Sequence, residues 1–209
     1  MARRTKAEAE ATRLALLDAA EEAFFDRGVA RTSLEHIARH AGLTRGAVYW
    51  HFRNKADLFR AMLDRVRMPF EELVAETGTT DASPLEAIRL GCRQGFRRME
   101  QPRHRRVLAI LIHRCEFFGD IDPCAIQTEM AGECLDALGG YFGDAHRQGL
   151  LAEGVDPQVA TRLLQAIISG LFHDWLRDPD AYSILERGMA LIDAEIALLS
   201  RRDASGRGP

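Results

Sequence analysis

Residues 43–55 read LTRGAVYWHFRNK and set an aromatic pair, a histidine, two arginines and a lysine into one short span of helical sequence. A helix that only packs places apolar residues three and four apart and leaves its other face to interchangeable charges. Val48 and Phe52 have that inward spacing. The residues around them are of another kind. Gly46 and Ala47 are small enough to let a backbone approach a partner closely, and Arg45, Tyr49 and His51 are hydrogen-bond donors. Thr44 has the side chain to cap this helix, and Lys55 follows Asn54 at the start of the next.

The flanking sequence gives the segment its setting. Leu14, Leu17, Ala20 and Phe24 form one face of a first helix that Gly28 ends. Thr32 and Glu35 have capping-box spacing ahead of LEHIARHA, whose Leu34, Ile37, Ala38 and Ala41 lie on one side, and Gly42 ends that short helix. After Asn54, Leu58, Phe59, Met62, Leu63 and Val66 face inward, with Pro69 kinking or terminating the helix. Two short helices separated by a glycine turn, with a helix on either side, outline a helix-turn-helix unit over about 33–52. In such a unit the second short helix enters the major groove of DNA. Arg45 suits bidentate readout of a guanine beside Gly46 and Ala47. Tyr49 and His51 can donate to phosphates, and Lys55 adds its charge at a helix start. Trp50 is ambiguous between core and surface.

Composition is compatible with this reading. The chain has 209 residues, 46% apolar and 28% charged, which are globular values. The net charge of −3 is uneven: residues 1–67 sum to +4 and the remainder to −7, so a polyanionic partner belongs to the N-terminal third. No run of eighteen apolar residues occurs, and MARRTKAEAEATR leads into a charged amphipathic helix, so a cytoplasmic protein without membrane contact is expected. Cys92, Cys115, Cys124 and Cys134 lack CxxC or CxxH spacing, so neither a metal nor a cofactor is expected. They read as reduced structural thiols, with redox sensing at Cys115 or Cys124 as the alternative. No nucleophile elbow, phosphate loop or HExxH appears, and an enzyme is not expected.

Beyond the head, strand signals are nearly absent. Pro84, Pro102, Pro123 and Pro157 each precede an amphipathic run, and Ser83, Asp122 and Asp156 stand before three of them as caps. Helices are expected over 84–100, 102–116, 123–148, 157–177 and about 181–201. Leu185, Met189, Ile192, Ile196 and Leu199 step by four and three, a seam that wants a partner helix. Helix 157–177 is apolar almost all round through Leu163, Leu164, Ile167, Ile168, Leu171, Phe172, Trp175 and Leu176. The expectation is an all-α chain of about nine helices: an N-terminal helix-turn-helix domain over 8–68, a larger helical domain over 69–201 and a disordered tail over 202–209.

Residues 12–63, centred on TSLEHIARHAGLTRGAVYWHFRNKADLF, resemble the DNA-binding domain of TetR-family transcriptional regulators. The TRGAVYWHF form and the opening MARRTKAEAEATR are similar to the AcrR-like branch, repressors of multidrug efflux operons, as more loosely is SGLFHDWLRDP at 169–179. The resemblance implies a homodimer on a palindromic operator. It places Arg45, Gly46 and Ala47 at bases, Ser33, Thr44, Tyr49, His51 and Lys55 at phosphates, and Arg3, Arg4 and Lys6 in a basic arm. It implies dimerisation through the last two helices, with Leu164, Leu171 and Trp175 joining the seam, and a cavity for small hydrophobic effectors among the middle helices. Phe96, Met99, Leu111, Phe117 and Phe172 are the wall candidates, Gln165 and Ser169 the polar ones, and His113, Glu116 and His173 could orient a ligand. Arg67 stands where close AcrR-like sequences can carry an acid, which favours anionic or neutral effectors.

Overall fold

The computed structural model describes residues 6–79 and 81–201; Arg3 and Arg4 of the expected arm and the expected tail 202–209 lie outside them. Among the described residues the elements are α1 (Lys6–Arg27), α2 (Leu34–His40), α3 (Arg45–His51), α4 (Lys55–Asp64), α5 (Phe70–Ala75), α6 (Pro84–Met99), α7 (Pro102–Ala109), a π-helical turn (Ile110–Arg114), α8 (Pro123–Arg147), α9 (Pro157–Arg177) and α10 (Ile184–Leu199). The all-α expectation holds, with ten helices instead of about nine. The extra one is α5, six residues long and opened by Pro69 without a side-chain cap, so neither length nor capping announced it.

Most starts follow their caps. Thr44 Oγ1 accepts from the Ala47 N–H at 3.2 Å, Ser83 Oγ from Glu86 at 3.3 Å, and Asp156 from Gln158 at 2.8 Å. The capping box at Thr32 does not form. Thr32 is buried and donates to the Gly28 carbonyl at 2.9 Å, while Ser33, one residue on, caps α2 by accepting from His36 at 3.2 Å. Gly28 and Gly42 hold φ of 82° and 67°, the left-handed region that stops α1 and α2. The last helix starts at Ile184 because Ser183, and no residue near 181, accepts from Glu186. The helix expected over 102–116 stays α-helical only to Ala109 before the π-helical turn.

Two compact packing units result, and they are not contiguous in sequence. The first joins the described residues of 1–67 to 102–127, and the second joins 68–101 to those of 128–209. Residues 102–127, which the sequence placed in the second domain, therefore pack with the head. In the first unit α1 packs against α2, α3, α4, α7 and the π-helical turn. Leu17, Phe24, Ile37, Val48, Leu58, Phe59 and Met62 fill its core, whereas Leu14 is exposed and Leu63 half-buried. Phe59 meets Phe24 and Phe118 edge-on at centroid distances of 6.0 and 5.7 Å. Buried Glu21 on α1 takes Arg65 at 2.8 Å and Arg103 at 3.4 Å, and Asp18 takes the same two guanidiniums, so α1, the end of α4 and α7 share one ionic network. Burial raises the Glu21 pKa and the two arginines oppose it.

In the second unit α6 packs against α5 and α10, and α10 against α9. A Cβ on Gly188 of α10 would stand 2.6 Å from the Phe96 ring of α6, so glycine is what permits this approach. Arg89 joins the same helices by ion pairs to Asp193 at 2.6 Å and Glu86 at 2.8 Å. Between them lies a carboxylate the sequence did not flag. Glu195 is 4% exposed, both its oxygens are buried without a hydrogen-bond partner, and burial pushes its pKa up to about 7.

Most of the expected dimer seam is already covered within the single chain. Leu164, Leu171, Trp175, Met189, Ile192 and Ile196 are buried within the single chain, with Leu185 and Leu199 half-buried. The middle of the four-three stripe of α10, Met189, Ile192 and Ile196, packs within its own unit; periodicity marks a covered stripe and is silent on what covers it. The large apolar residues left in solvent on these helices are Val159, Leu163, Leu191 and Leu198.

Candidate nucleic-acid interface

Two short helices build the face. Leu34, Ile37 and Ala38 bury α2, and Val48 with Phe52 anchors α3 against the core. Arg45, Gly46, Tyr49 and Trp50 are then left in solvent, with Ala47 and His51 half-exposed. Trp50 proves to be surface, 70% exposed and resting edge-on against the His51 ring at 4.5 Å. A large aromatic held out on a helix of this kind offers an apolar face to a thymine methyl or a sugar.

The donors expected to meet DNA already have partners. Tyr49 Oη donates to Glu35 at 2.9 Å, Arg45 Nε lies 3.3 Å from the same carboxylate, and the Arg45 guanidinium sits 5.4 Å from the Tyr49 ring centroid. Glu35 of α2 thus stands where an incoming phosphate or base acceptor would be satisfied. A backbone hydrogen bond and the Tyr49 hydroxyl hold its carboxyl below the usual range. Lys55 is engaged more deeply. Its Nζ donates to the Val29 carbonyl at 2.8 Å and the Ala30 carbonyl at 3.3 Å, and lies 4.8 Å from the Phe118 ring centroid. Burial lowers its pKa, and it ties α4 to the loop after α1.

A groove of about 440 Å³ gathers Arg31, Ser33, Tyr49, Arg53 and Lys55. Three of these were expected from the sequence. Arg31 and Arg53 were not, because each lies in a turn beside a short helix, where periodicity gives no face. Glu35 was seen only as a capping residue, and no sequence signal distinguishes that role from masking Arg45.

The expected effector residues do not share one packing unit. Leu111 is core of the first unit, where Phe117 is 71% exposed. His113 and Glu116 are exposed in the same unit. Phe96, Met99, Gln165, Ser169 and Phe172 belong to the second. Phe96 and Met99 are buried, and Gln165 donates to Ser169 Oγ at 3.2 Å while its own oxygen is buried without a partner. His173 sits against the Ser169 carbonyl at 2.8 Å, and Arg67 is exposed beyond the end of α4. Burial raises the Cys92 thiol pKa strongly and pushes Cys115 and Cys134 up to about 11.

Residues 16–62 match the family of bacterial regulatory proteins, tetR family, and residues 84–201 match the C-terminal region of MAATS-type transcriptional repressors. The chain belongs to the TetR family. It is 38% identical to the regulator TtgR of Pseudomonas putida over 95% of its own length and 96% of the relative's. Among solved structures it is similar to NalD, the secondary repressor of the MexAB-OprM multidrug efflux pump in Pseudomonas aeruginosa, with a TM-score of 0.81 at 38% identity over 95% of this chain and 100% of that one. A structure of SmeT in complex with triclosan matches with a TM-score of 0.79 at 32% identity, covering 95% and 98%. Membership makes the α2–α3 face that of a DNA-binding transcriptional regulator, and no described helix is long and apolar enough to cross a membrane.

Proposed function

We propose that this TetR-family chain is a cytoplasmic homodimeric repressor of a multidrug efflux operon, released from a palindromic operator by a small hydrophobic effector. The observation that carries the reading is the outward face of α3, where Arg45, Gly46, Tyr49 and Trp50 stand in solvent on a helix anchored by Val48 and Phe52. Arg45, Gly46 and Ala47 approach bases. Ser33, Thr44, Tyr49, His51 and Lys55, joined by Arg31 and Arg53, take phosphates. The exposed Val159 and Leu163 of α9 and Leu191 and Leu198 of α10 support a second copy as partner.

In the second unit the buried, unpartnered oxygen of Gln165 supports an effector carrying a hydrogen-bond donor beside Ser169 and Phe172. Burial pushes the Cys115 thiol up to about 11, which disfavours that residue as the redox alternative. The effector weakens operator binding only by its differential affinity for two arrangements of the dimer, and about 2–3 kcal/mol of coupling lowers affinity tens to over a hundredfold. The test is binding of the purified protein, at fixed salt, to DNA upstream of its own gene and of the adjacent transport operon, with and without a panel of hydrophobic antimicrobials. Palindrome-dependent binding relieved by a compound is expected. Binding that no compound alters would remove the effector from the account.

A further inference from the structure

A second hollow, of about 580 Å³, adjoins the groove at the reading face and belongs to the same packing unit. Ala30 and Arg31 line both, so the two hollows lie on either side of the loop between α1 and α2. The second is walled by Arg27 at the end of α1 and by His113 and Arg114 from the π-helical turn. These three side chains and Arg31 are exposed, and the three arginines enter no ion pair among the described residues. The position is fixed by backbone: the Val29 N–H donates to the Arg114 carbonyl at 3.0 Å, and the Arg114 guanidinium lies 5.8 Å from the Phe25 ring centroid. Asp26 and Glu116 also line the hollow, leaving three guanidiniums and an imidazole against two carboxylates.

We infer that Arg27, Arg31 and Arg114 continue the DNA interface beyond the half-site, binding phosphates of the flanking duplex. The inference rests on the DNA-binding reading above. It adds that a segment sequence analysis assigned to the effector domain touches nucleic acid. Continuity selects the occupant: a backbone strand crossing the groove of Ser33, Tyr49 and Arg53 passes over Arg31 into the hollow. Charge complementarity agrees, since unpaired guanidiniums at a rim bind phosphates without reading sequence. The contact is indifferent to flank sequence and sensitive to flank length.

The test uses the full-length protein and duplexes that it selects itself from random-sequence DNA. One duplex ends at the selected palindrome, and the other extends it on each side by about one helical turn, roughly 10 base pairs, of arbitrary sequence. Native protein should bind the longer duplex more tightly and with the steeper salt dependence. Arg27→Ala with Arg114→Ala should remove that excess, lowering the slope of log affinity against log salt by roughly 0.9 for each phosphate no longer neutralised, and should leave the short duplex unaffected. Arg114→Lys, which keeps the charge, should preserve most of the excess. Equal weakening on both duplexes, or no change on either, overturns the flank contact. If the native protein selects no duplex, the operator-binding reading itself falls.

Discussion

Glu195 offers the sharpest physical test of the fold. A carboxylate 4% exposed, with neither oxygen hydrogen-bonded, is tolerable only while it carries its proton. Its folded pKa of about 7 lies above the usual 4.5, so the stability it leaves intact is fully present below about pH 4.5 and is lost as pH rises through 7. Each pKa unit corresponds to 1.36 kcal/mol, and the full difference amounts to about 3 kcal/mol. Glu195→Gln keeps the shape and cannot ionise. At pH 5 the two proteins should unfold at nearly the same temperature, whereas at pH 8.5 the variant should be ahead by roughly 6–12 °C, taking 2–4 °C per kcal/mol for a chain of this size. The assay is thermal unfolding across pH 5 to 8.5 at one protein concentration, because dimer formation would otherwise enter the comparison. Parallel curves for the two proteins would refute the reasoning, since the carboxyl would then titrate alike in the folded and unfolded chain.

Other expectations concern the interface and its supports. Arg45→Ala should relax discrimination at one base pair by about 1–3 kcal/mol, while Arg53→Ala should weaken all duplexes alike, as competition binding against single-base operator variants would reveal. Glu35→Gln should tighten operator binding at low salt by removing the negative charge that pairs with Arg45 and repels phosphate, with a gain that fades as salt rises; titrations at two ionic strengths decide this. Lys55→Ala should lower thermal stability as well as DNA affinity, because the Val29 carbonyl is left without its donor, at a cost of about 1–3 kcal/mol readable by urea unfolding. Gly188→Ala should cost about 1–3 kcal/mol by forcing the Phe96 ring aside, and a Phe96→Leu background should recover part of it.

How much was legible depended on whether a feature is local. The caps at Thr44, Ser83 and Asp156 were readable because a cap involves residues two or three apart, and the reading face was readable because Val48 and Phe52 fix which side of α3 turns inward. What escaped was decided by packing between distant segments. Met189, Ile192 and Ile196 of α10 carry the right spacing but are covered within their own unit, where α10 packs against α6 and α9, and residues 102–116 carry helix signals while packing onto a head that lies well upstream in sequence. Glu35 escaped because its partners, Arg45 and Tyr49, lie across the α2–α3 turn, and Arg31 and Arg53 because they lie in turns outside the short helices, where periodicity gives no face.

The split first unit bears on how the protein emerges from the ribosome. Phe59 finds one of its two aromatic neighbours at Phe118, and the Val29 N–H its acceptor at Arg114, so the head stays unfinished until synthesis has passed residue 118. At about 5–20 residues per second the delay from residue 67 is a matter of seconds. A nascent chain stopped at the end of α4 would show solvent an uncovered phenylalanine and a network missing Arg103. Excised heads ending near residue 68 should accordingly express as sticky, loosely packed fragments, and those that keep 102–127 through a grafted connection should not.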